Sequence, residues 1–137
     1  MEGNPIGEIN LLAVFLGALA FFVVGMIWYG VLFGKTWQRE VGLTEEQIAG
    51  GNMPVIFGLC FLFELLIALT LGHQFARSDP STRGIMMIST GYALGLMIPA
   101  TGINYLFQRC SGKLFAIDAG HFLFGMAAMG AVFVWLR

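Results

Sequence analysis

A chain of 137 residues with 58% hydrophobic and only 11% charged side chains is too apolar for a soluble domain, where roughly a quarter of residues are charged. Its length allows one domain, and a formal net charge of −1 excludes a nucleic-acid surface or a partner recruited by bulk charge. Two cysteines, Cys60 and Cys110, exclude a disulfide framework, so the expected solvent is lipid.

A spanning helix needs about 20 mostly apolar residues. The sequence predicts four, over residues 9–33, 54–71, 84–107 and 114–136, so residues 1–137 read as a single transmembrane domain. The expected fold class is all-α: an integral membrane four-helix bundle with a short interfacial helix in the first loop. The leading "MEGNPIGEIN" carries Glu2 and Glu8 and no Lys or Arg, unlike the basic start of a secretory signal. The first apolar segment is therefore expected to be retained.

That segment ends in "GMIWYGVLFGKTW", residues 25–37. Trp28 and Tyr29 fall at the depth where amphipathic rings are favoured, Lys35 can snorkel, and Trp37 stands at the exit, which together read as an interfacial anchor. Tyr29 has an inward alternative, towards Asn104, Asp118 and His121. In the loop "KTWQREVGLTEEQIAGGN" the spacing of Thr44 and Gln47 fits a capping box, and Gly50-Gly51 fits a stop. Asn52 is placed to cap the second span, with Pro54 in its first turn. In "SDPSTRG" Asp79 and Pro80 are expected at the N-cap and first position of the third helix.

Small residues four apart mark close packing in lipid. Gly91 with Gly95, Ser89 with Ala93, and Ala116 with Gly120 are expected to pack in this way, and Pro99 to bend the third helix. With four spans both termini share one face, here called face A, and the 1–2 and 3–4 loops lie on face B. Face B carries Lys35, Arg39, Arg109 and Lys113 against Arg77, Arg83 and Arg137 on face A. Positive residues favour the cytoplasm, so those two loops are expected to be cytoplasmic and the termini periplasmic, in a bacterial inner membrane.

Ionisable groups inside a span are functional candidates by default. Counted from face B at about 1.5 Å per residue, Asp118 lies roughly 6 Å deep, His121 about 10 Å and Glu64 about 15 Å. Tyr29, Asn104, Thr101 and Cys60 fall in the same half, whereas the other half is apolar until His73. A cavity opening from face B and ending at Glu64 accounts for this, with ligand-binding or proton-handling candidates Glu64, His121, Asp118, Asn104 and Tyr29. The structural alternatives are an uncharged Glu64 making one buried hydrogen bond, an Asp118 hydrated or paired with Lys113 or Arg109, and a His121 merely packed and hydrogen-bonded; orientation of His121 by Asp118 one turn away would instead support acid-base or metal chemistry. No HxxxH or CxxC spacing supports a metal, and no second histidine at matching depth supports haem. No metal or cofactor is expected, and no nucleotide motif occurs.

The order "GMIWYGVLFGKTW", "VGLTEEQIA" and "AIDAGHFLFGMAAMGAV" resembles the DUF1761 family of small bacterial integral membrane proteins of unknown function. The positions carrying the resemblance are Trp28, Tyr29, Gly34, Lys35, Trp37 and Asp118. It implies a four-helix membrane fold and no reaction. One departure is that Gly30 and Val31 stand where family members often carry a proline.

Three functions compete. The leading one is a non-enzymatic membrane module that binds a small or lipophilic ligand, or a partner protein, through the face-B cavity. The second is a membrane-embedded oxidoreductase on a hydrophobic substrate, with His121 as acid-base and Glu64 as proton relay. The third is a proton-coupled transporter protomer. The partners expected are the lipid bilayer and a homo-oligomer or other membrane protein.

Overall fold

The computed structural model describes residues 8–137; residues 1–7, with Glu2, lie outside the described residues. Helices and turns account for every element among them, with no strand. The first span is α1 (Leu11–Ile27), which continues through a π turn (Trp28–Leu32). The first loop holds α2 (Gly34–Val41) and α3 (Glu45–Ala49). The second span is α4 (Met53–Ser78). The third is α5 (Thr82–Tyr92), a π turn (Ala93–Met97) and α6 (Ile98–Gln108), and the fourth is α7 (Gly112–Trp135). Four helices are thus long and apolar enough to cross a membrane, which makes this a multi-pass membrane protein of all-α architecture.

Polar caps start these helices because their first N–H groups have no partner within the helix, a costly state in lipid. Asn10, Asn52 and Ser111 accept from the backbone N–H of Ala13, Val55 and Leu114 at 3.0, 3.3 and 3.1 Å. Thr44 and Gln47 form the reciprocal capping box of α3. The helix Gly34–Val41 was not expected from the loop sequence. It ends at Gly42 with φ 83°, a left-handed stop that glycine reaches without steric cost. Glu40 accepts a 2.6 Å hydrogen bond from Ser111, so this helix is tied to the loop before α7.

Two boundaries differ from expectation. The second span runs to Ser78 rather than residue 71: Leu71 and Gly72 are still buried, so the inward face continues beyond the point where hydropathy falls. Asp79 closes α4 in the left-handed region instead of opening α5, and Ser81 is the cap, accepting from Gly84 N–H at 3.1 Å. Asp tolerates that conformation better than most residues, and a proline soon after a helix end is a common stop.

The bundle is centred on the α1–α7 pair, with α4 packed mainly on α1 and α5 on α7. Small-to-large contacts allow the close approach. Gly17 of α1 faces Met129, Gly25 faces His121, Gly120 of α7 faces Trp28, and Gly125 faces Phe21. On the outer seam Gly130 faces Ser89. Ala13, Ala18, Phe21, Leu71, Met126 and Met129 form the buried centre. At face A, α4 and α5 meet through a Tyr92 hydroxyl donated to Gln74.

Towards face B the bundle loosens on one side, since residues 54–60 of α4 are all exposed. Pro99 is accommodated by the π turn before it, in which the Ile98 N–H reaches back to the Ala93 carbonyl. Proline has no N–H for the carbonyl four residues earlier, and a wider turn re-registers the helix around the loss.

The Gly91–Gly95 pair does not pack against another span, because a Cβ at either would meet nothing within 4 Å. Ser89 and Ala93, both wholly buried, are the packing pair on this helix. Ala116 is exposed, while Gly120 packs under Trp28. Replacing Gly91 and Gly95 together by alanine should therefore not destabilise the protein in detergent, and the better helix propensity of alanine should add about 1 kcal/mol. A loss in thermal unfolding would show that this face is covered.

Candidate functional site

The face-B half of the α1–α7 seam gathers polar groups from three spans. The π turn re-aims the end of the first span, with the Phe33 N–H returning 2.8 Å to the Trp28 carbonyl. Gly34 follows because a Cβ there would run into the carbonyl of Tyr29. This geometry turns Trp28 and Tyr29 inward against α7.

Trp28 donates its indole N–H to the Ile117 carbonyl at 2.9 Å and lies over Gly120. It therefore binds α7 rather than simply marking the membrane edge. Tyr29 donates its hydroxyl to one oxygen of Asp118, and Tyr105 of α6 donates to the other. Asp118 is 7% exposed. Its two oxygens are met by two phenolic donors from different spans.

No ion pair joins Asp118 to Lys113 or Arg109 among the described residues, both of which stand exposed at the helix ends. Nor does any hydrogen bond join it to His121, one turn away on the same helix. The tyrosines bond both oxygens, and the orientation of the imidazole by Asp118 that the sequence allowed is not made.

His121 instead sits among rings. Tyr29 meets it edge-on with centroids 5.0 Å apart, Phe21 does so at 5.2 Å, and Phe122 lies tilted at 5.5 Å. Its Nε2 is buried against Gly25 and has no hydrogen-bond partner. Further towards the middle of the membrane, Glu64 is 8% exposed with its Oε1 likewise unpartnered. It lies eleven residues into a 26-residue helix, about 16 Å from its start.

The structure thus brings Tyr29, Asp118 and His121 together and adds Tyr105, which sequence reasoning missed. Asn104 is exposed and stays apart from them. Cys60 is exposed on α4, one turn from the buried Glu64. Lys35 is exposed at the head of α2, and Trp37 meets Tyr29 edge-on at 5.9 Å, so Trp37 flanks the cluster on the face-B side. Among the described residues no three His, Cys, Asp or Glu side chains converge closely enough to hold a metal ion.

The arrangement can do two things chemically. The Asp118 knot fixes α6 and the end of the first span onto α7 through directional bonds. The buried atoms His121 Nε2 and Glu64 Oε1 remain as an acceptor or donor each, without a protein hydrogen-bond partner. Such atoms carry a desolvation penalty of about 1–3 kcal/mol each, and native structures rarely keep one without a use.

No curated protein and no solved structure matches the chain. A family model described as a protein of unknown function, DUF1761, matches residues 12–134, which takes in the four spans but for Leu11 and Trp135 at their outer ends, both π turns and every residue of the cluster. The chain belongs to the DUF1761 family.

Proposed function

We propose that the chain is a non-enzymatic module of the bacterial inner membrane that holds a small or lipophilic ligand in the face-B half of its bundle. The observation that carries this reading is the pair of buried polar atoms without protein partners, Glu64 Oε1 and His121 Nε2. Leaving both unsatisfied costs stability that an apolar core would not lose. A ligand with polar groups would satisfy them, and the aromatic rings around His121 would bury its apolar part. The Asp118 knot then acts as the frame that keeps Tyr29 and His121 in register.

Lys35, Arg39, Arg109 and Lys113 on face B, against Arg77, Arg83 and Arg137 on face A, support a cytoplasmic face B with the termini periplasmic. A partner protein or a second copy would take the exposed stretch of α4 beside the site, where residues 54–60 face outward.

Proton transfer is the second reading, favoured by the depth of Glu64. Against it, the α4 seam between Glu64 and face A is made of Ala68, Leu71, Gly72 and Phe75, which offer a proton no carrier.

The test is chemical. Protein purified in mild detergent is extracted with organic solvent, and the released compounds are compared by mass spectrometry with those from Glu64→Leu and His121→Leu. A compound retained by the wild type and depleted in both variants, each still eluting as a folded species, supports the proposal. Identical profiles from all three would refute it.

A further inference from the structure

At the opposite end of the bundle a separate cavity of about 420 Å³ opens at face A, bounded by the start of the first span, the end of α4, the turn after it and the end of α7. That volume lies within the roughly 300–1,000 Å³ typical of small-ligand sites. Its floor is apolar: Phe75 and Phe133 meet edge-on at 5.1 Å, and Ile85 closes the side.

Its lining carries both signs of charge, Arg137 with Glu8 and Asp79. The Arg137 guanidinium stands 3.9 Å from the Asp79 carboxylate, whose side chain is 96% exposed, and 3.4 Å from the Thr82 hydroxyl. An ion pair that open to solvent contributes little to stability, so a ligand can readily replace it.

The rim lies where four helices end, at the depth of lipid headgroups. We infer that this cavity binds the head of a phospholipid bearing a primary amine, with its phosphate on Arg137, its ammonium between Asp79 and Glu8, and the first methylenes of its chains on the Phe75–Phe133 floor. The charge pattern selects the head. Guanidinium suits phosphate, and two carboxylates accept hydrogen bonds from an ammonium. A choline head has no N–H to give them, and a glycerol head carries no positive charge. This site shares no residue with the Asp118 cluster and stands or falls independently of it.

Native mass spectrometry of the full chain in detergent, titrated with palmitoyl-oleoyl phosphatidylethanolamine, phosphatidylcholine or phosphatidylglycerol, tests the assignment. The ethanolamine lipid should bind at least about fivefold more tightly than the other two. In the Glu8→Gln, Asp79→Asn double variant that preference should fall below about twofold, while Arg137→Gln should weaken all three lipids together. Ala76→Trp, which fills the cavity from α4, should remove binding of every lipid. Soluble phosphoethanolamine, lacking chains to cover the aromatic floor, should compete only at about hundredfold higher concentration or more. Equal affinity for the three lipids, a preference unchanged in the carboxylate variant, or competition by phosphoethanolamine at the lipid's own concentration would overturn the inference. The carboxylate substitutions lie at the exposed rim, so their result does not depend on the tolerance of the packed interior.

Discussion

Replacing Gly125 with valine should cost about 3 kcal/mol or more of stability, measured as the loss of unfolding free energy in detergent. Gly125 lies on the face of α7 that meets α1, and a Cβ there would stand 2.7–2.9 Å from three carbons of the Phe21 ring. Phe21 is 1% exposed and is met on another side by His121, so it has no room to swing away. The α1–α7 pair is the closest in the bundle, and separating it would propagate to the Trp28 and Tyr29 bonds on the same seam. Truncating the obstacle should restore part of the loss: the Gly125→Val, Phe21→Ala double variant should be more stable than the sum of the two single effects by about 1 kcal/mol or more. Additive losses would show that the two residues do not meet.

The second large effect concerns Asp118. Substitution by leucine removes the acceptor of two part-buried phenolic hydroxyls, Tyr29 and Tyr105, and each orphaned donor costs about 1–3 kcal/mol. A total loss of about 2–6 kcal/mol is expected on that basis. Asparagine keeps one acceptor oxygen and should cost less. The triple variant Tyr29→Phe, Tyr105→Phe, Asp118→Leu removes donors and acceptor together and should recover most of the loss, since apolar replacement of a whole buried network is often nearly neutral. If the triple variant is no more stable than Asp118→Leu alone, the hydroxyls are not what the carboxylate holds.

Much of the fold was legible because lipid imposes a simple rule. Each span must be a long apolar helix with its own hydrogen bonds, and length and hydropathy suffice to find such segments. Caps were legible where a polar side chain precedes an apolar run, as at Thr44 and Asn52. Asp79 misled because Asp-Pro also suits the start of a helix, and the choice between stop and start depends on a backbone angle that composition does not encode. The end of α4 was misjudged because polar side chains at His73 and Gln74 lower hydropathy without ending the helix.

The site was legible in depth but not in direction. Counting residues from a loop placed Tyr29, Asp118, His121 and Asn104 in one half of the membrane. It could not say which way each points, and neighbouring positions on a helix differ by about 100° in direction. Asn104 faces outward for that reason, while Tyr105, the next residue, reaches Asp118. The π turn at Trp28–Leu32 further rotates the end of the first span, which a regular helical count does not anticipate. The packing role of Gly25, Gly120 and Gly125 lies in the large side chain opposite each one, a long-range pairing that spacing within one helix does not reveal.

The unpartnered Glu64 is the most direct point of attack on the ligand proposal. Thermal unfolding of the wild type and Glu64→Leu should be compared in detergent, with and without a total lipid extract of the host membrane. Without extract the leucine variant should be the more stable by about 1–3 kcal/mol, the cost of the orphaned carboxyl oxygen. With extract the wild type should gain more stability than the leucine variant, because only it retains the group that the ligand satisfies, whereas lipid in the face-A cavity would stabilise both alike. A leucine variant that is less stable than the wild type without extract, or equal stabilisation of both proteins by the extract, would contradict the assignment of Glu64 to a ligand site.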